Sequence, residues 1–277
     1  MELQNKVAVI SGAASGIGYA LARALAREGA SVALLDLRRD ALDEAVAALR
    51  AEGSRAIGIA TDVSDAAAVD AAAREVLDAF GKVHLLVNNA GVVVRGPKLF
   101  EVQDDVWKWI LGVNLFGTLH CLRSFIPLIS AHGEGGHILN TGSVSGFISA
   151  NRQTGVYTTT KYALTGLTEC LADELAGTGI GVSLVLPGGV QTAFYASSAS
   201  LRGDLGGANA FATPTAEFAD FMPPDEVAAR AIAGIKAGQF YIATHAQARP
   251  LHEQRHQALM SAYDAAEAWP STKRQVN

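Results

Sequence analysis

Short runs of apolar residues alternate with longer amphipathic stretches along most of the chain. The first run, at residues 7–10, precedes a glycine-rich turn and an alanine- and leucine-rich helix that reaches about Glu28. A second apolar run ends at Asp36. The pattern then predicts further helices near 40–52, 65–79, 103–130, 155–177 and 224–237, and further strands at 55–60, 83–88, 137–142, 180–186 and 239–243.

This alternation predicts the fold class. Strands that alternate with helices of ten or more residues are typical of βαβ units and a parallel sheet. The strands are uniformly apolar, as expected when helices cover both faces of the sheet. We therefore predict an α/β fold, a doubly wound parallel sheet in a three-layer αβα sandwich. A chain of 277 residues could form one large domain or two small ones, and the absence of a repeat or linker favours one domain over 1–277.

Composition and charge exclude several classes of function. The chain is 49% hydrophobic and 18% charged, with a net charge of −5, so we expect no nucleic-acid partner. Cys121 and Cys170 lie within helical patterns and suggest no disulfide framework. We find no signal peptide and no apolar run of about 18 residues, the length of a membrane helix. These features predict a soluble, cytoplasmic protein without a membrane partner.

The segment from about 192 to 224 breaks the pattern, because it is rich in Ser, Ala, Gly, Thr and Pro. A loop this long in a compact domain is usually functional or mobile. It follows the carboxyl end of a strand, where open parallel sheets bind ligands, so we interpret it as a substrate lid. A poorly ordered surface insertion is the alternative. An amphipathic tail helix is predicted at about 246–268.

Three glycines, Gly12, Gly16 and Gly18, lie between the first strand and the first helix. Glycines there permit a tight turn, and the unpaired N–H groups of a helix N-terminus bind a pyrophosphate. Their spacing, G-x-x-x-G-x-G, differs from the commonest dinucleotide fingerprint, and a plain glycine-rich turn is the alternative.

Asp36 supports the nucleotide interpretation, because it lies 24 residues beyond Gly12 at the end of the second strand. A carboxylate there can accept hydrogen bonds from a ribose 2′-OH. It would repel a 2′-phosphate, so we predict NAD as the cofactor, with NADP less favoured. Arg38 and Arg39 follow and could bind a phosphate, which limits the preference.

Tyr157 and Lys161 are spaced i, i+4, which places them on one face of a helix. The reference pKa of a phenol is about 10. A lysine charge about 4 Å away, at an effective dielectric constant near ~20, is worth about 4 kcal/mol or about three pKa units. We therefore expect Lys161 to lower the pKa of Tyr157 toward neutrality, which suits acid–base chemistry on an alcohol or ketone. A solvated helix face is the alternative for the spacing alone.

Together these motifs resemble the short-chain dehydrogenase/reductase family, whose fold is of the Rossmann type. The resemblance runs from residue 6 to about 192. The motifs that carry it, in chain order, are the glycine-rich turn, Asp62-Val63, Asn88-Asn89-Ala90-Gly91, Asn114, Ser143, Tyr157-x-x-x-Lys161 and Pro187-Gly-Gly-Val-Gln-Thr192.

The resemblance implies a residue set for the cofactor. The glycine-rich turn would hold the pyrophosphate, residues 62–63 the adenine, residues 89–91 the adenine-side ribose, and Val190 and Thr192 the carboxamide. The full implied set is Ser11, Gly12, Ser15, Gly16, Ile17, Gly18, Asp36, Leu37, Asp62, Val63, Asn89, Ala90, Gly91, Tyr157, Lys161, Pro187, Gly188, Val190 and Thr192.

The resemblance also implies catalytic roles and a reaction. Tyr157 would transfer a proton to or from the substrate oxygen, Lys161 would lower its pKa and bind the nicotinamide ribose, and Ser143 would hold the oxygen. Asn114 would support a water relay to the lysine. The expected activity is NAD(H)-dependent interconversion of a secondary alcohol and a ketone. The alternatives are an epimerase or dehydratase of the same family and a non-catalytic dinucleotide sensor.

The substrate pocket is less defined, because core packing explains most of its candidates equally well. Arg95, Arg152 and Gln153 could anchor a polar group of the substrate or simply be solvated. We expect a substrate with an apolar or aromatic body. The predicted pocket residues are Val94, Ser145, Phe147, Gln153, Gly189, Phe194, Tyr195 and Met222.

Two further features bear on partners and metals. The predicted helices 103–130 and 155–177, the first with Trp107 and Trp109, suggest a homo-oligomer, a dimer or tetramer. Residues 252–256 match H-E-x-x-H, a zinc-binding pattern, but they lie on the peripheral tail helix without a third ligand at the usual spacing. We expect no metal.

Overall fold

The computed structural model describes residues 1–96, 98–149, 153–202 and 221–269. Its seven strands are β1 (Val7–Ser11), β2 (Ser31–Asp36), β3 (Ala56–Ala60), β4 (Leu85–Asn88), β5 (Gly136–Thr141), β6 (Ile180–Leu186) and β7 (Tyr241–Ala243). They form one sheet in the order β3-β2-β1-β4-β5-β6-β7, and every neighbouring pair is parallel. The order reverses between β1 and β4, which opens a crevice at the carboxyl ends of the strands.

Helices cover both faces of this sheet. They are α1 (Gly16–Arg27), α2 (Arg39–Ala51), α3 (Ala66–Phe80), α4 (Asp104–Leu111), α5 (Gly117–Ala131), α6 (Gly155–Glu174), α7 (Phe194–Arg202), α8 (Pro224–Lys236) and α9 (Arg249–Glu267). Alternate residues of β1 enter two separate cores: Ala8 and Ile10 pack with α1, α2 and α8, whereas Val9 packs with α3 and α5. The prediction of a doubly wound three-layer sandwich is confirmed.

The predicted helix 103–130 is divided by a π-helical turn, Gly112–Phe116, between α4 and α5. This turn contains Asn114, which is unfavourable in a regular helix. Helix α7 also occupies the start of the segment predicted as a loop, while residues 203–220 of that segment lie outside the described residues.

The helical stretch Asp104–Ala131 bears on the prediction that the chain has no membrane helix. By length and composition it could cross a membrane, since the mean hydropathy of one 18-residue window within it is 1.2. In this structure 39% of that window is buried. Its inner side chains, among them Phe125 and Ile129, pack in the core beneath the sheet. The stretch is therefore apolar because one of its faces belongs to the core.

Helix α9 follows the last strand as predicted, but none of its residues is buried. Its described contacts with the body of the fold include the His252 ring against Phe147, with centroids 5.6 Å apart. Arg255 also lies over the Tyr162 ring, 5.5 Å from its centroid. The tail helix is thus held at a few points on the surface.

Candidate active site

A cavity of about 490 Å³ lies at the carboxyl ends of the strands, where the crevice was expected. Most of the predicted cofactor and catalytic residues line it, although they come from six loops and from helix α6. Those that line it are Gly12, Ser15, Gly16, Ile17, Asp36, Leu37, Asp62, Val63, Asn89, Ala90, Gly91, Ser143, Tyr157, Lys161, Pro187, Gly188, Val190 and Thr192.

The glycine-rich turn forms a cradle that side chains would fill. Gly12 and Gly16 have φ of +63° and +58°, which favour glycine. A Cβ on Gly12 would lie 2.8 Å from the Ala90 backbone, and one on Gly16 would lie 3.2 Å from Thr192. The turn therefore brings bare backbone N–H groups to the start of α1, which fits a dinucleotide pyrophosphate.

Two predicted cofactor residues, Ser11 and Gly18, do not line the cavity but shape it from behind. The Ser11 hydroxyl accepts hydrogen bonds from Asn89 N (3.0 Å) and Ala90 N (3.1 Å). A Cβ on Gly18 would lie 2.2 Å from the Gly12 carbonyl oxygen. Both residues hold the first turn against the loop after β4.

Asp36 is 8% exposed at the end of β2, and both of its carboxylate oxygens accept hydrogen bonds. Oδ2 accepts from Ala14 N and Oδ1 from Arg38 N, each at 3.0 Å. The Arg38 guanidinium lies 3.4 Å from Oδ1 and donates to the Ser15 hydroxyl at 2.8 Å. A negative and a positive group therefore stand side by side where the adenine-side ribose was expected.

Three of the four catalytic candidates meet at the other end of the cavity. Tyr157 and Lys161 lie one turn apart on α6, and Ser143 follows β5. The Lys161 Nζ is 5.7 Å from the centroid of the Tyr157 ring and donates to the Thr141 carbonyl at 2.7 Å. Ser143 hydrogen-bonds the Tyr157 side chain and also accepts from Ser145 N at 3.1 Å.

Burial has the largest effect on both ionisable groups. Desolvation raises the pKa of Tyr157. The hydrogen bond with Ser143 lowers this pKa, and the electrostatic interaction with Tyr195 raises it. Burial lowers the pKa of Lys161 to about 8. The expected lowering of the phenol pKa by Lys161 is therefore wrong for this arrangement, because desolvation outweighs the other effects and the ammonium points toward Thr141.

Asn114 lies behind the cavity wall, in the π-helical turn, rather than in the cavity itself. Its Oδ1 accepts from Val92 N at 2.7 Å, and its Nδ2 donates to Val92 O at 2.9 Å. The same Nδ2 donates to the Thr160 hydroxyl on α6 at 3.0 Å, and that hydroxyl donates to the Tyr157 carbonyl. Asn114 thus joins the loop after β4 to the turn of α6 that carries Tyr157.

The predicted pocket residues divide into two groups. Ser145, Gly189, Phe194 and Tyr195 line the cavity, and the Phe194 ring is 6.0 Å from that of Tyr157.

The other four residues do not line it. Val94 is buried with Ile110 and Val156 in a core cluster, and Phe147 packs against Tyr241 and His252. Gln153 accepts from Arg95 Nε at 2.8 Å, and Met222 forms a β-bridge with Val190. The sequence around each of these residues does not reveal these contacts. Arg152, also named as an anchor, lies outside the described residues.

Several residues that line the cavity lie outside the sequence motifs described above. Trp109, considered above for an oligomer contact, lines the cavity together with Phe221 and Thr154. The contact of His245 with the loop after β6 was also missed, although the Gly188-Gly189 pair signalled that something approaches that loop closely. Tertiary contacts over long sequence separations bring Trp109, Phe221 and His245 to the site, whereas Thr154 is the N-cap of α6, the helix that carries Tyr157.

The H-E-x-x-H pattern does not form a ligand set with a third residue in the described chain. One cluster elsewhere, His84, His132 and Glu134, has ligand atoms within 4.8 Å of one another. Val7 N donates to His84 Nδ1 and Glu134 N donates to His132 Nδ1, while Glu134 pairs with two lysines. Hydrogen bonds and ion pairs thus already use these atoms.

The comparisons agree with this geometry. A family model described as short chain dehydrogenase matches residues 6–202. A 1-deoxy-11-beta-hydroxypentalenate dehydrogenase from Streptomyces exfoliatus is 31% identical over 99% of this chain and 97% of its own length.

Two solved structures bear on the cofactor. A short chain dehydrogenase/reductase from Burkholderia phymatum, in complex with NAD, is 37% identical, with a TM-score of 0.88 over 95% of this chain and 96% of that one. A structure from Beutenbergia cavernae with NADP at low occupancy is 32% identical, with a TM-score of 0.73 over 88% and 96%. The similarity supports a nicotinamide dinucleotide cofactor.

Proposed function

Because the chain belongs to the short chain dehydrogenase family, we propose that it is an NAD(H)-dependent oxidoreductase that interconverts a secondary alcohol and a ketone. One observation carries the proposal. Ser143, Tyr157 and Lys161 meet in a cavity whose opposite end carries the glycine-rich turn and Asp36. Acid–base groups at one end and a nucleotide cradle at the other are what hydride transfer to or from an alcohol carbon requires.

The side chains divide the work by their chemistry. A bound nicotinamide would donate or accept the hydride. Tyr157, whose raised pKa keeps it protonated at neutral pH, donates a proton to the ketone oxygen in reduction and takes it back in oxidation. Ser143 holds that oxygen by a hydrogen bond, and the Lys161 ammonium, which lines the same cavity, would bind the nicotinamide ribose.

NAD is preferred over NADP because of the position of Asp36. Its carboxylate faces the cavity at the end of β2 and would repel a 2′-phosphate. Arg38, beside it, is held by Asp36 and Ser15 and is therefore engaged with protein groups. The preference for NAD therefore also depends on Asp36, because Asp36 binds the Arg38 guanidinium that could otherwise bind a 2′-phosphate.

The cavity walls favour a substrate with an apolar or aromatic body. Trp109, Phe194, Tyr195 and Phe221 line it near the catalytic end. The similarity to a dehydrogenase of a hydroxypentalenate supports a cyclic alcohol as one class to test. We also propose that the enzyme is cytoplasmic, since Cys121 and Cys170 are both free thiols.

The position of Arg95 favours a substrate that carries a polar or anionic group. Its Nε donates to Gln153, and its guanidinium lies 6.0 Å from the Tyr195 ring centroid, so the side chain is directed to a residue of the cavity wall. In the described chain no carboxylate lies within 4 Å of it. Its terminal N–H groups can therefore bind a carboxylate at the far end of a substrate.

The test is a screen of aromatic and alicyclic secondary alcohols with NAD, in which the absorbance of NADH is followed. Each alcohol is paired with a carboxylate-bearing analogue to test Arg95. We expect stoichiometric NADH formation with at least one apolar-bodied alcohol. NAD binding without turnover of any alcohol or ketone would favour a sensor and contradict the proposal.

A further inference from the structure

His245 lies just beyond the carboxyl end of β7 and contacts the loop that follows β6. Gly188 N donates to its Nδ1 at 2.9 Å, and its Nε2 lies 3.0 Å from the Gly189 carbonyl oxygen. The two elements are more than 50 residues apart in the chain, yet β6 and β7 are hydrogen-bonded neighbours in the sheet. One side chain therefore holds backbone groups of two consecutive residues of the cavity wall.

The partners of the ring define its protonation. A backbone N–H can only donate, so Nδ1 carries no proton, and a carbonyl can only accept, so Nε2 carries one. The Thr244 hydroxyl lies 2.8 Å from the same Nδ1 and 3.1 Å from the Leu186 carbonyl oxygen. Both ring nitrogens are therefore engaged, and His245 is not among the residues that line the cavity.

The loop after β6 has glycine where the His245 ring packs against it. A Cβ on Gly188 would lie 2.8 Å from the His245 Cγ, so the imidazole packs directly on bare backbone. On the other side, a Cβ on Gly189 would lie 2.6 Å from the Phe221 ring. Two consecutive glycines are needed because a ring approaches each of them.

The held loop connects both halves of the site. The Pro187 carbonyl accepts from Val144 N at 3.0 Å and lies 3.5 Å from the Ser143 hydroxyl. Farther along the same loop, Val190 and Thr192 line the cavity, where the nicotinamide carboxamide is expected. Movement of this loop would displace the residues expected to contact the cofactor. It would affect Ser143 less, through the Pro187 carbonyl.

We propose that His245 is a positioning residue that sets the nicotinamide side of the cofactor site by holding the backbone of Gly188 and Gly189. It touches neither substrate nor reacting atoms in this assignment. Its loss raises the KM and Kd for NAD, while kcat changes much less. The inference rests on the proposed NAD-dependent function.

The test uses His245→Ala, His245→Gln and Gly188→Ala in the full-length protein, with His256→Ala on the exposed face of α9 as the control. We expect His245→Ala to raise the KM for NAD about tenfold, with kcat within about threefold of wild type. His245→Gln should restore most of the affinity, since its amide offers an acceptor and a donor. Gly188→Ala should weaken NAD binding similarly by displacing the ring, and His256→Ala should behave as wild type.

Direct titration of NAD and thermal melts separate the outcomes. The inference is overturned if His245→Ala binds NAD as wild type does. It is also overturned if His245→Gln matches the alanine variant and both melt well below wild type, because the role would then be structural. A wild-type protein that neither binds NAD nor turns over any alcohol would instead defeat the proposed function.

Discussion

Lys161 is 4% exposed, and Tyr157 is half-buried in the cavity wall, so their ionisation depends on their surroundings. Burial disfavours the charged form of each, which raises the pKa of the phenol and lowers that of the ammonium to about 8. The spacing of four residues indicated that the two groups share a helix face. It did not indicate that desolvation would dominate, because that depends on residues far away in the chain.

Replacement of Tyr157 by Phe should remove the proton-transfer group while preserving the ring. We expect kcat to fall by about 10² to 10⁴, the usual contribution of general acid–base catalysis. The Kd for NAD, measured by titration, should stay within a few-fold of wild type. Tyr162→Phe, on the same helix but under Arg255, is the matched control and should retain activity. Near wild-type turnover by Tyr157→Phe would contradict the proposed role.

Asp36→Asn should weaken the choice of NAD over NADP. The amide oxygen can accept from only one of the two backbone N–H groups that Asp36 now binds, those of Ala14 and Arg38, but the charge that repels a 2′-phosphate is gone. We expect kcat/KM with NADP to rise about tenfold, together with a smaller loss with NAD. Asp43→Asn, which removes an equal charge on α2, serves as the control. A wild-type enzyme that prefers NADP would defeat the role of Asp36.

At the scale of elements, the first strands and helices follow from local sequence, whereas two irregular segments do not. The π-helical turn exists because Asn114 pairs with both backbone groups of Val92 and with Thr160. Helix α7 is stabilised where Ser198 accepts from Val93 N at 3.1 Å, although its sequence has the composition of a loop. In both cases partners from distant segments decide the local conformation.

The junction of β5 and β6 contains a pH-sensitive group, His137. It is 4% exposed, and its Nε2 lies 2.8 Å from the Ser183 hydroxyl, which donates to the Gln239 carbonyl. Burial lowers the pKa of His137 to about 4 from 6.5. The unfolded chain therefore takes up a proton below about pH 6.5 that the folded protein does not take up until about pH 4, so stability falls as the pH falls through this window.

We expect this histidine to destabilise the fold by about 2 kcal/mol between pH 7 and pH 5. The measurement is urea unfolding at both pH values for wild type, His137→Asn and the exposed control His256→Ala. The asparagine variant can still donate to Ser183 but does not titrate, so its loss of stability should be smaller by about that amount. Equal losses in wild type and His137→Asn would exclude this source of pH dependence.

At the scale of the whole molecule, α5 and α6 present an apolar groove to the surface. It is lined by Leu119, Ile126 and Leu167, with Cys170 exposed at its edge. The groove lies on the apolar stretch Asp104–Ala131, of which less than half is buried in one chain. A second copy of this chain would cover this surface, as the sequence-based expectation of a dimer or tetramer requires.

Light scattering should therefore give the mass of a dimer or tetramer. Cys170→Glu, which places a charge in the groove at an exposed position, should lower the mass, whereas Cys170→Ser should leave it unchanged. A monomeric wild type would refute this arrangement. Persistence of the oligomer in Cys170→Glu would place the interface elsewhere on the surface.

The sequence by itself determined the order of strands and helices along the chain, the fold class and the candidate residues for the chemistry. These depend on local periodicity, on turns that require glycine and on motifs with fixed spacing. They predicted Ser143, Tyr157, Lys161, Gly12 and Asp36 as parts of one site, which the tertiary structure brings to one cavity.

Only the tertiary structure decided where individual side chains point and how their surroundings alter them. Phe147 and Val94 are apolar residues near the motifs, yet packing with α9 and α4 turns them from the cavity. His245 and Trp109 reach the site from distant segments. Side-chain direction and desolvation depend on contacts between elements far apart in sequence, and no local pattern encodes those contacts.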